Sequence, residues 1–229
     1  MTTTEIPTVP CVLDDPSLPD LASYVAVHRA LRRGSRALAD AARRGGDRRQ
    51  ARATAWWARR FLEELHLHHT LEDDHFFPAL LARAPEVAAL LERTDADHAE
   101  MDRIVAGVEA GLATWAQGGA AGAAALELGR LADLLDAHLA LEDDHLLGRF
   151  QQAFGREEYA ELEQVAIRSL GVGPQAAFTV PFVVSMADDP ATALAEAPAP
   201  FRALHRLCAG RYRRRTRAAL GADLGAARR

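Results

Sequence analysis

Cysteine is scarce: Cys11 and Cys208, the two in 229 residues, form no metal-ligand pair and suggest no disulfide framework. A thiol-reducing, cytoplasmic setting is therefore expected. Nowhere do about 18 apolar residues run uninterrupted, and Met1 to Asp15 carries Glu5 and prolines rather than a basic region followed by an apolar one. The expectation is a soluble, unexported chain with no membrane partner. Aromatic residues are only 6% and the net charge is a mild −5. The arginines are scattered over what read as solvated helix faces, so nucleic acid is not an expected partner either.

What is abundant is alanine and leucine, in a chain 49% apolar and 26% charged. That profile is helical, with almost no sheet expected, and the length allows one large domain or a domain with an appendage. After a loose leader, residues 1–16, Ser17 reads as an N-cap with Pro19 tolerated in the first turn. The first helix then carries an apolar stripe through Leu21, Tyr24, Val25, His28, Leu31 and Leu38 to the break at Gly45 and Gly46. Asp47 caps a second helix whose inward face reads Trp57, Phe61, Leu65, His68, Glu72 and His75 or Phe76, with Pro78 kinking or ending it. Pro85 opens a third, with Leu91, Thr94, His98, Met101, Val105 and Leu112 inward, ending near Gly118. A fourth starts near Ala123 and presents Leu128, Leu131, Leu135, His138, Glu142 and His145 or Leu146. Four long helices with short links make an up-down-up-down four-helix bundle over residues 17–150. Residues 151–229 read as a mainly helical extension packing on the bundle: a helix from Glu157 to Leu170, an apolar extended run from Phe178 to Val184, and a basic helix from Phe201 to Leu220.

An internal repeat carries the functional reading. Leu71-Glu72-Asp73-Asp74-His75 recurs letter for letter as Leu141-Glu142-Asp143-Asp144-His145, seventy residues on, and the same offset relates His68 to His138 and His28 to His98. Two hairpins of one pattern would bring four histidines and two glutamates to one level of the interior. A buried polar group without a partner costs roughly 2 to 7 kcal/mol, more if charged, so a ring of six needs something to offset it. Residues four apart on a helix are about 40° apart around the axis and about 6 Å along it, so His68 with Glu72, and His138 with Glu142, each form a two-toothed clamp. Imidazole with carboxylate and no thiolate favours iron, or less strongly manganese, over structural zinc, and six or more ligands imply two metals. His66 and His69 flank the first clamp and read as surface residues. The aspartates that follow each glutamate read as solvated groups or as acceptors for ligand imidazoles.

His28, then His68-x-x-x-Glu72, then His98, then His138-x-x-x-Glu142, with Phe76-Phe77-Pro78 after the first clamp, resembles the hemerythrin-like histidine-histidine-glutamate cation-binding domain over about Leu18 to Phe150. The resemblance implies an oxo- or hydroxo-bridged di-iron centre with carboxylate bridges, at which dioxygen is bound, sensed or activated, or peroxide or nitric oxide reacts. It implies a non-haem di-iron oxidoreductase or, alternatively, a reversible dioxygen carrier, a sensor or an iron-binding module without catalysis. Two departures stand out. Oxygen-carrying members place a second histidine four after the one on the third helix, whereas this chain has Asp102 there. His75 and His145 stand where the family is commonly apolar, as extra ligands or as proton handlers, which together with the extension tilts the reading toward chemistry on a small-molecule substrate. They also write Glu-x-x-His twice, as ferritin-like di-iron bundles do, but the first helix offers no glutamate near His28.

Overall fold

The computed structural model describes residues 7–171 and 173–221; they are all-helical, with no strand among them. The helices are α1 (Ala22–Arg44), α2 (Arg48–Leu71), α3 (Phe77–Leu81), α4 (Ala88–Ala116), α5 (Gly122–His145), α6 (Leu147–Ala153), α7 (Arg156–Leu170), α8 (Ala176–Met186), α9 (Pro190–Glu196) and α10 (Ala199–Leu220). A π-helical turn, Glu72–Phe76, joins α2 to α3, and a 3-10 turn, Pro85–Val87, leads into α4. The Asp47 carboxylate accepts from the Gln50 amide and caps α2.

Packing closes a ring α1–α2–α4–α5, with α5 lying along both α1 and α4 and α2 along α4. Its apolar interior falls into two clusters. One holds Leu38, Trp57, Phe61, Leu65, Met101, Val108, Leu128 and Leu135; the other holds Leu21, Tyr24, Phe76, Phe77, Leu91, Leu146, Phe150 and Tyr159. On each of the four helices the crossover from one cluster to the other falls at a buried histidine, so a polar belt separates two greasy halves.

The extension is woven into the first half. On α8, Phe178, Phe182 and Met186 join the core of Trp57 and Phe61, and a Cβ on Gly34 of α1 would stand 2.9 Å from the rings of Phe182 and Phe61, so glycine permits that approach. On α10, Thr216 accepts from the Trp57 indole at 3.0 Å, and the Ala219 carbonyl accepts from Gln50 and Thr54.

Three expectations need correction. The run Phe178 to Val184 is helical, not extended; a short, wholly apolar run has no periodicity to tell a buried helix from a buried strand. Ser17 does not cap α1. It donates to Asp15, the helix begins at Ala22 with the Asp20 carboxylate accepting from the Ala22 amide, and Pro19 steers Leu18 away from helical angles. The leader lies outside the described residues up to position 6, but from Pro7 on it is tied down: Val12 and Gln151 exchange hydrogen bonds, and the Val9 amide donates to the Asp144 carbonyl. Pro78, read as kinking or ending the second helix, disturbs it without ending it: the helix passes through the π turn into α3.

Candidate metal centre

Each ring helix delivers its polar residues at the level where the two apolar clusters meet. α1 brings Tyr24 and His28, α2 His68 and His69, the π turn Glu72, α4 His98, and α5 His138 and Glu142. All seven imidazole and carboxylate groups are buried, none more than 9% exposed. Within the clamps the spacing of four works as geometry requires: His68 Nε2 lies 3.1 Å from Glu72 Oε1, and His138 Nε2 lies 3.2 Å from Glu142 Oε1. Across the bundle, His28 Nε2 is 3.4 Å from Glu142 Oε2, His98 Nε2 is 3.7 Å from Glu72 Oε2, and the Nε2 atoms of His98 and His138 are 3.1 Å apart.

Two four-residue groups result. Ligand atoms of His28, His68, Glu72 and Glu142 all lie within 4.8 Å of one another, and so do those of His69, Glu72, His98 and His138. Glu72 belongs to both, and Glu142 spans the same gap from the other side, with one oxygen toward His28 and the other toward His138.

Aspartates set the outer edges of two of the imidazoles. His28 Nδ1 donates to Asp143 at 2.7 Å, Asp143 is itself held by Arg32 at 2.6 Å, and His98 Nδ1 donates to Asp73 at 3.0 Å. With Nδ1 held by an aspartate, the neutral ring keeps its proton there and turns a bare Nε2 inward, the form imidazole takes when a metal displaces the Nε2 proton. On the inner edge the Tyr24 hydroxyl donates to Glu72 Oε1. Burial, with the Glu72 and Glu142 carboxylates close by, keeps that phenol protonated well above its ordinary range.

Charge at the centre is unbalanced in the way a cation would correct. Burial, and next the neighbouring histidines, push His68 and His69 well below the usual imidazole range and keep them neutral. Burial and Glu142 raise Glu72. Burial opposes the imidazolium of His28, but Asp143, Glu72 and Glu142 outweigh it and lift that group to about 9. His28 Nε2, His68 Nε2, His69 Nε2, Glu72 Oε2 and both Glu142 oxygens have no hydrogen-bond partner. Buried polar atoms are normally paired, and these converge, so the residues fit metal cations. The donor set is imidazole and carboxylate, with the two free cysteines outside it. The model of the hemerythrin HHE cation-binding domain matches residues 21–150, more than half of the chain. The chain belongs to that family. No curated protein and no solved structure matches it.

The six residues picked from the repeat come together at this hemerythrin-like centre. Three others do not. His75 is exposed, Asp102 faces solvent, and His145, half-buried at the end of α5, belongs to neither group. The π turn explains His75. Pro78 lacks an N–H and its ring would press on the Asp74 carbonyl four residues back. There the ladder widens to five-residue spacing, with the Phe77 amide donating to the Glu72 carbonyl, and His75 swings off the inward stripe. The second copy of the pentapeptide has no such proline and remains α-helical. His66 is exposed as expected, but His69, read as a surface residue, is 6% exposed and lies in the second group. Its signal was present: Leu62, seven residues earlier, is buried too, so the inward stripe of α2 is wide enough for two adjacent positions.

Proposed function

We propose that the chain holds two iron ions, one at His28 and His68 and one at His98 and His138, with Glu72 and Glu142 reaching both, and that dioxygen or peroxide is bound and reduced there. The carrying observation is the pair of ligand groups that share Glu72. Manganese suits the same donors less well in a dioxygen-binding role. Bound iron would supply the one-electron redox change and the affinity for dioxygen that no side chain has. The remaining work falls to the protein. Asp143 and Asp73 hold His28 and His98 with Nε2 inward, Tyr24 orients Glu72 and holds a proton at its hydroxyl beside the centre, and the apolar clusters above and below keep bulk water out. A reductant from outside the chain completes the reduction.

One observation favours a second reading, reversible binding for carriage or sensing. With His75 and Asp102 turned outward, Tyr24 is the hydroxyl that meets the shared carboxylate, and proton supply is sparse. The deciding experiment takes iron-loaded protein, reduced anaerobically, and follows its charge-transfer absorption in air and then under vacuum. Consumption of dioxygen or peroxide by turnover supports the first reading; a band that appears in air and disappears under vacuum supports the second. A sample with no oxygen-dependent band and no turnover refutes both.

A further inference from the structure

The two cation positions are not alike, and the difference rests on a residue outside the repeat. If the second position had only the repeat residues, it would draw on His98 and His138 as the first draws on His28 and His68, with Glu72 and Glu142 reaching both. The third imidazole is not found on α4, where Asp102 is exposed. It stands on α2. His69 is 6% exposed, its Nε2 has no hydrogen-bond partner, and a ligand atom of its ring lies within 4.8 Å of those of Glu72, His98 and His138. Its ring stacks on that of His98, centroids 3.9 Å apart and planes 15° from parallel, and meets the His138 ring edge-on at 5.5 Å.

We propose that His69 is a ligand of the second cation, so that consecutive side chains of one helix serve different metals: His68 the first and His69 the second. Neighbouring helical residues diverge by about 100° around the axis, which is why they can point to opposite sides of the shared carboxylate. The π turn begins at Glu72, three residues after His69, and Glu72 belongs to both groups. The result is an asymmetric centre. Glu72 and Glu142 both face the two positions, so the difference lies in the imidazoles, two at the first position and three at the second. More imidazole suits the softer divalent ion. The two ions should therefore enter with different affinities, and the position that loses His69 should be the one that empties.

This inference rests on the two-cation reading above, and its test separates the two. Full-length protein is titrated anaerobically with ferrous iron, and with cobalt(II) as a coloured probe, in the parent, in His69→Leu and in His66→Leu as an exposed neighbour on the same helix. Leucine fills much of the imidazole volume and cannot ligate, and circular dichroism checks that each variant is folded. The expected result is two metals per chain in the parent and in His66→Leu, and one in His69→Leu, with the second weakened at least tenfold and the cobalt spectrum reduced to a single site. Two metals bound by folded His69→Leu with parental affinity would overturn the role of His69. Loss of both metals from folded His69→Leu would overturn the division between the positions. A parent that binds fewer than two would refute the two-cation reading itself.

Discussion

The Tyr24 hydroxyl donates its hydrogen bond to Oε1 of Glu72, the one carboxylate common to both histidine groups. A residue of α1 thereby orients a residue at the end of α2, and the orientation decides whether Glu72 can face both groups. Tyr24→Phe removes the hydroxyl and leaves the ring packed against Phe76 and Phe150. Metal affinity should fall by about tenfold or more, as it does when outer hydrogen bonds to ligands are removed, with little loss of fold. Isothermal titration with ferrous iron measures it; an unchanged affinity would show that Glu72 needs no such support.

Asp143 fixes the ring of His28 from the outside. Asp143→Asn keeps the shape, but its amide can turn a donor toward Nδ1 and favour the tautomer with a proton on Nε2, where the metal should be. Affinity should fall by roughly 10- to 100-fold. Asp144→Asn, at an exposed neighbour, should leave it unchanged. Equal effects of the two substitutions would show that the loss comes from charge alone.

Phe182 seats α8 between α1 and the aromatic face of α2, against Trp57 and Phe61. Phe182→Ala should cost about 3–5 kcal/mol in chemical denaturation, the usual range for a fully buried phenylalanine. Gly34→Ala should also destabilise, because its Cβ would stand 2.9 Å from two rings. Parental stability in both variants would show that α8 is not part of the core.

Glu64 sits buried under α8, accepting from Thr179 and Gln175. Burial raises its carboxyl above the usual range, and those hydrogen bonds recover only part of the shift. A raised value in the fold means the stability attached to the protonated form is complete below the unfolded value and is lost as pH rises through the folded one. Above the unfolded value the carboxyl therefore costs stability that glutamine would not. The denaturation midpoint of Glu64→Gln should gain on that of the parent as pH rises above the ordinary glutamate value of about 4.3. A margin that shrinks as pH rises would mean the carboxylate is better satisfied than its surroundings indicate.

Much of this was legible in the residues. Periodicity and the Gly45–Gly46, Pro85 and Gly118 breaks mark the four long helices, and a seventy-residue offset marks six polar positions at one level. Side-chain register is where pattern and structure part. The same five letters, Leu71 to His75 and Leu141 to His145, are π-helical at one end and α-helical at the other, because Pro78 follows only the first copy. No offset relates His69 to a partner, since position 139 is leucine; its inward face depends on how far α2 rolls against α4. The helical state of α8 is likewise decided by what it packs against, since every face of that segment is apolar or nearly so.

The most direct measurement is the iron content and X-ray absorption of protein loaded anaerobically with ferrous iron. The expected result is two irons per chain, with nitrogen and oxygen neighbours and a metal–metal vector of about 3.5–4 Å. A fully folded chain that takes up no iron, or only one ion, or two without a mutual vector, would contradict a centre built around the shared carboxylate of Glu72.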